Sequence, residues 1–178
     1  FKDVGPYYNV KVFNSPRYRQ AFKDLRDGYS QFGLGVKTGV DLPSEGVGYN
    51  GGIPQHPGKI FMFAIGQFDT YTPLQMAQYV STIANGGYRL QPHFLEEVHS
   101  PIRTPNQLVP TLKTFRPNVL NKIQKPESEI KTVQQGFYMV THGKYGTARR
   151  LGYPPYRKYK IAAKTGTAQV DTSVRPNV

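Results

Sequence analysis

The chain has no cysteine and no tryptophan in its 178 residues, and only four histidines, His56, His93, His99 and His142. Without cysteine there are no disulfides and no thiolate metal sites, whatever the compartment. No two of the histidines lie three or four apart on a helix face, so no metal site and no cofactor are expected. Long apolar runs are missing too. Nothing approaches the ~18 residues that cross a bilayer, and Phe1 to Val10 has none of the parts of a signal peptide. Any anchoring or targeting segment is expected outside this sequence. Acidic residues are scarce, with 11 Asp and Glu against 23 Lys and Arg, a formal charge of +12.

Such a balance reads either as a solvated basic face or as attraction to a polyanion: nucleic acid, anionic lipid or an anionic wall polymer. The cations are densest from Lys144 to Lys160, with Tyr145, Tyr153, Tyr156 and Tyr159 between them. That interleaving can suit nucleic acid. No nucleic-acid motif accompanies it, and no nucleic-acid partner is expected. Hydrophobic residues make up 38%, with 18 Gly and 15 Pro, which describes a loop-rich domain. The 13 Tyr and 10 Phe argue against a disordered chain.

Three helices are predicted. The first runs from Ser15 to about Ser30, with Ser15 as cap, Pro16 at the first helical position and a stripe of Tyr18, Phe22, Leu25 and Tyr29. Thr38 to Gly52 then reads as turns. The second helix starts at Thr72, where Thr72-Pro73-Leu74-Gln75 makes a capping box. Its expected buried stripe is Leu74, Ala77, Val80, Ile83 and Ala84, and Asn85-Gly86-Gly87 closes it. Tyr88 to Leu90 and Phe94 to Val98 read as short extended pieces, and Ser100 to Pro117 as a connection without regular structure. The third helix covers about Pro126 to Thr141, with Ile130, Val133, Phe137 and Val140 on one face. Tyr159 to Val170 reads as a strand. The mixture is α+β.

Chemistry concentrates at Lys164-Thr165-Gly166-Thr167, at the end of that apolar strand. Lys164 supplies a cation, and the Thr165 and Thr167 hydroxyls can donate to a carboxylate. Gly166 removes a Cβ that would obstruct a groove, and the Thr167 N–H can serve as half of an oxyanion hole. The three letters alone are weak, since Lys37-Thr38-Gly39 is a second copy. That copy runs into Val40-Asp41-Leu42-Pro43 within a turn region and is read as structural.

The set S-x-x-K, S-D-N, K-T-G belongs to penicillin-binding proteins and class A β-lactamases. The surrounding text makes the likeness specific. Phe32-Gly33-Leu34-Gly35, Thr38 to Pro43, Ile65-Gly66-Gln67, Tyr71 to Ala77, Ile83 to Gly87 and Ala163 to Gln169 resemble class B penicillin-binding proteins in order and spacing. The likeness runs from about Tyr18 to Val170 and is greatest to Gram-positive members. It implies a β-lactamase/transpeptidase-like fold, with an antiparallel sheet flanked by helices, incomplete in this chain. It also implies a parent D,D-transpeptidase that cross-links peptidoglycan stem peptides through an acyl-serine and is trapped by β-lactams. Such a parent would sit at the outer face of the cytoplasmic membrane, anchored by a segment absent here, and work with other cell-wall synthesis proteins. Thr165 and Thr167 would hold the substrate carboxylate, Lys164 would contribute electrostatics, and the Thr167 N–H would form half of the oxyanion hole.

One departure matters. The nucleophile should precede the Lys-Thr-Gly strand by a long way, yet the sole S-x-x-K is Ser128-Glu129-Ile130-Lys131, in the wrong order. Tyr7-Tyr8-Asn9 mimics a second motif but has no nucleophile upstream. Residues 1–178 are therefore expected to be part of one transpeptidase domain, from after its second motif to just past Lys-Thr-Gly. The isolated segment is expected to be inactive and, with unpaired sheet edges, to fold poorly. The alternatives are a β-lactam sensor or β-lactamase of the same fold, or a basic polyanion-binding module.

Overall fold

The computed structural model describes residues 15–53, 59–101 and 108–166. Helix α1 (Pro16–Gln31) begins as expected: Ser15 is extended, and its side chain accepts from the Tyr18 N–H at 3.3 Å. Gly33, at φ 92°, follows the helix end, and a Cβ there would overlap the Gln78 amide. Tyr18 and Phe22 are buried and meet Ile60 and Phe63 of the short helix α2 (Lys59–Ala64), with Leu25, Tyr29 and Phe68 packed around them. Phe22 stacks on Phe63 with ring centres 5.4 Å apart, while Tyr29 and Phe68 meet Phe63 edge-on. Truncating such a ring costs about 3–5 kcal/mol.

Helix α3 (Pro73–Ala84) carries the full capping box, the Thr72 side chain bonding the Gln75 N–H and the Gln75 side chain the Thr72 N–H. Its buried face corrects the sequence reading. Val80 is half exposed, Ala77 and Ala84 are exposed, and of the predicted stripe only Ile83 is fully buried. Gln75, Gln78 and Thr82 face inward instead. The reason is hydrogen-bond demand: the chain beside α3 presents backbone carbonyls to this face. Gln75 Nε2 donates to the Val36 and Val47 carbonyls, and Gln78 Nε2 to those of Leu90 and Thr38.

Beyond α3 the chain forms an antiparallel ribbon. Strand β1 (Tyr88–Leu90) pairs with β4 (Val119–Lys122), and β2 (Glu97–His99) with β3 (Thr111–Thr114). Gln91 to Asn118 and Phe115 to Glu96 backbone bonds join the two pairs. Here β3 overturns the expectation of an irregular Ser100–Pro117 connection. All four β3 residues are exposed, so no alternation marked the strand; its cross-strand hydrogen bonds define it. The Phe94–Val98 piece is also displaced, because the Phe94 and Leu95 N–H groups donate to the Asp41 carboxylate rather than to a ladder.

Helix α4 (Glu127–His142) packs on α3 through Ile130 beside Ile123 and Gly87. Gln134 Nε2 donates to the Ile83 and Ala84 carbonyls at the end of α3. Val133 is about half exposed, and Phe137 and Val140 are half-buried. Two 3-10 turns follow, Arg149–Gly152 and Tyr156–Tyr159. The predicted strand from Tyr159 is not formed over residues 160–166: Lys160 is left-handed (φ 47°), and no ladder includes this segment. A strand needs a partner, and none of the described residues pairs with it. Arg89 ties the parts together, donating to Gln78 and to the Ser30 and Lys37 carbonyls.

Candidate active site

Lys164, Thr165 and Gly166 form one exposed segment. Helix α4 holds it in place. The buried Thr141 hydroxyl donates to the Ile161 carbonyl at 2.6 Å, and the Phe137 carbonyl accepts from the Ala163 N–H at 3.1 Å. Thr165 Oγ1 lies 3.1 Å from Thr147 Oγ1, in the connection between α4 and the first 3-10 turn. Lys164 Nζ donates to the Thr165 carbonyl at 2.7 Å. Among the described residues, no atom lies within 4 Å of where a Gly166 Cβ would be. Thr167 lies outside the described residues, as does the Tyr7-Tyr8-Asn9 mimic.

Thr141 and Thr147 escaped the sequence reading. Thr141 sits one residue before the end of a helix whose stripe was read from apolar residues alone. Thr147 stands 18 positions from its partner, a separation that no local pattern reports.

Of the two rival motifs, the first serves packing and the second lies exposed at the start of α4. Thr38 of Lys37-Thr38-Gly39 is fully buried, and its N–H and hydroxyl both donate to the Glu45 carboxylate, at 2.6 and 2.5 Å. Ser128 lies in the first turn of α4, its carbonyl accepting from Thr132 Oγ1. Lys131 is bonded to Glu127 at 2.8 Å, where side-chain hydrogen bonding and charge raise the lysine pKa. An ammonium held charged by a carboxylate is not a base for a serine.

Away from the segment, a cavity of about 340 Å³ lies between α1 and the turns, lined in part by Arg26, Asp69, Tyr29 and Tyr71. Asp69 is nearly buried and accepts two hydrogen bonds from Arg26, both at 3.0 Å. Burial, then Asp69 and Tyr29, push the Tyr71 pKa well up, so the phenol stays protonated. The described residues hold no cluster of three or more metal-ligating side chains and no helix long and apolar enough to cross a membrane.

Comparison with known proteins agrees with this assembly. Residues 12–177 match the model of the penicillin-binding protein transpeptidase domain, and the chain belongs to that family. It is 49% identical over 154 residues to penicillin-binding protein 2A of Bacillus subtilis (strain 168), covering 86% of this chain and 21% of the relative. Penicillin-binding protein H of the same strain is 48% identical over 145 residues, covering 82% of this chain and 20% of the relative. Among solved structures, penicillin-binding protein 2B of Streptococcus pneumoniae (strain 5204) superposes with a TM-score of 0.65 at 37% identity. That match covers 72% of this chain and 21% of the other. The chain thus spans about a fifth of the length of these relatives. The α+β arrangement of helices and small antiparallel pieces is that of part of a transpeptidase domain.

Proposed function

We propose that this chain supplies the carboxylate-binding wall of a peptidoglycan D,D-transpeptidase site whose serine nucleophile lies outside these 178 residues. One observation carries the reading. Lys164, Thr165 and Gly166 stand exposed on a segment pinned to α4, while the other Lys-Thr-Gly is spent on packing Thr38 against Glu45. In this role Thr165 and Thr167 donate to the terminal carboxylate of a stem peptide or of a β-lactam. Lys164 adds positive charge beside it, and the Thr167 N–H stabilises the developing oxyanion. Thr147 acts as a positioning residue by fixing the Thr165 hydroxyl. The missing Cβ at Gly166 leaves room for the bound acyl group.

The acylation step follows from that placement. The serine oxygen attacks the carbonyl of the D-Ala-D-Ala bond or of the β-lactam ring, its proton passing to a base. With the stem peptide the C–N bond then breaks and D-Ala leaves with the proton returned by the base. An amine from a neighbouring strand gives up a proton and takes the acyl group from the serine. With a β-lactam the ring nitrogen takes the proton but stays tethered, and the acyl-serine persists. Residues 1–178 are accordingly one stretch of a single domain, between the second active-site motif and the far side of Lys-Thr-Gly. The site would face the outside of the cytoplasmic membrane, reached through an anchor elsewhere in the protein.

The test is acylation of the full-length protein by a fluorescent penicillin. Thr165→Val should lower the second-order acylation rate by about 10²-fold, the scale of losing an aligned donor. Thr147→Val should lower it by about tenfold through weaker binding, and Thr147→Ser should restore it. Unchanged acylation in Thr165→Val would overturn the proposal.

A further inference from the structure

Between Gly143 and Ala163 there is no aspartate or glutamate, while Lys144, Arg149, Arg150, Arg157, Lys158 and Lys160 are all present and exposed. None of the six forms an ion pair with a described residue; the acids of α4 sit at its other end, where Glu127 and Glu129 engage Lys131 and Lys125. Tyr145, Tyr153, Tyr156 and Tyr159 are exposed among these cations. Lys144 and Lys158 lie over the Tyr145 and Tyr159 rings, 5.4 and 4.9 Å from their centres. Two consecutive 3-10 turns shape the segment, and it is fastened at both ends. The Ala148 N–H donates to the Val140 carbonyl, and Thr141 and Phe137 hold Ile161 and Ala163. It is a fixed ledge, joined to the Lys-Thr-Gly segment by the Thr147–Thr165 contact.

We propose that this ledge binds an anionic glycopolymer, a chain of phosphodiesters carrying sugar rings. Exposed cations with no acid beside them among the described residues concentrate polyanions and release their counterions. Exposed tyrosines offer flat faces to sugar C–H groups and hydroxyls to their oxygens. A bilayer fits less well, because docking into headgroups uses aliphatic or large apolar side chains to enter the acyl boundary. The large aliphatic residues here, Leu151 and Ile161, are half-buried. The inference extends the transpeptidase reading, resting on it only for the neighbouring role of Lys164-Thr165-Gly166: the ledge would hold a wall polymer beside the cross-linking site.

The test uses the full-length protein and fluorescent glucosylated poly(glycerol phosphate), with fluorescence polarisation read from about 50 to about 200 mM salt. Binding should weaken linearly on a log–log plot. Replacing Arg149, Arg150, Arg157 and Lys158 together by Gln should weaken it about tenfold or more and flatten the salt slope. Lys125→Gln with Lys131→Gln, at the far end of α4, should change it by less than about twofold. Circular dichroism and penicillin acylation checked on each variant separate this from misfolding and from failure of the transpeptidase reading. Absent polymer binding, equal loss in the two variants, or tighter binding to phosphatidylglycerol vesicles or duplex DNA than to the polymer would each overturn the proposal.

Discussion

Glu45 shows why one Lys-Thr-Gly copy is scaffold. Burial pushes its pKa up, but the Thr38 hydroxyl, the Thr38 and Gly39 N–H groups and the charge of Lys37 outweigh that and leave it below the ordinary value of 4.5. A lowered folded pKa means stability that is complete above the unfolded value and lost as pH falls through the folded one. Removing the carboxylate also leaves the buried Thr38 donors unpaired, a cost of about 1–3 kcal/mol. Glu45→Ala should therefore melt earlier than the parent at neutral pH, and the gap should narrow as pH drops below about 4.5. Thermal melts of the full-length proteins across that range would show it; a gap independent of pH would contradict the assignment. Lys164 has no such partner, and among the described residues no carboxylate pairs with it. In the first copy the acid six to eight residues on, Glu45, folds back over the motif.

At the level of elements, what could be read from the sequence was whatever local chemistry decides. Ser15 with Pro16, and Thr72 with Pro73 and Gln75, marked two helix starts to the residue, because capping is settled within one turn. The aromatic stripe of α1 was legible since Tyr18 and Phe22 pack as a helical period requires. The buried face of α3 was not, because an apolar stripe is no guide where a helix must satisfy its neighbours' carbonyls. Gln78 donates to Thr38 and Leu90 and accepts from Arg89, linking the first Lys-Thr-Gly turn to the ribbon. Gln78→Leu keeps the volume and removes all three bonds, so it should destabilise by about 1–3 kcal/mol. Val80→Gln, on the exposed side of the same helix, should change stability by less than about 0.5 kcal/mol. Denaturant titration of both variants checks the pair, and equal effects would restore the apolar-stripe reading. Strand β3 and the missing ladder at 160–166 were illegible for another reason: pairing depends on residues distant in sequence.

Across the whole molecule, the text that resembles the family divides into two uses. Phe68 and Asp69 of the Gly66-to-Pro73 stretch lock the aromatic core, Phe68 against Phe22 and Phe63 and Asp69 against Arg26. Breaking that nearly buried ion pair from one side costs about 3 kcal/mol, so these two residues serve the fold. Lys164-Thr165-Gly166 is the other use, an exposed segment with few internal duties. Ser128, the lone match to the family's serine spacing, lies exposed in the first turn of α4, and Lys131 of that match is bonded to Glu127. The central claim is that this chain walls a site whose nucleophile lies outside it. Full-length protein acylated by a penicillin, digested and mapped by mass spectrometry tests that claim most directly. The adduct is predicted on a serine outside residues 1–178, with Ser128→Ala labelled as fast as the parent; an adduct on Ser128 would contradict the account.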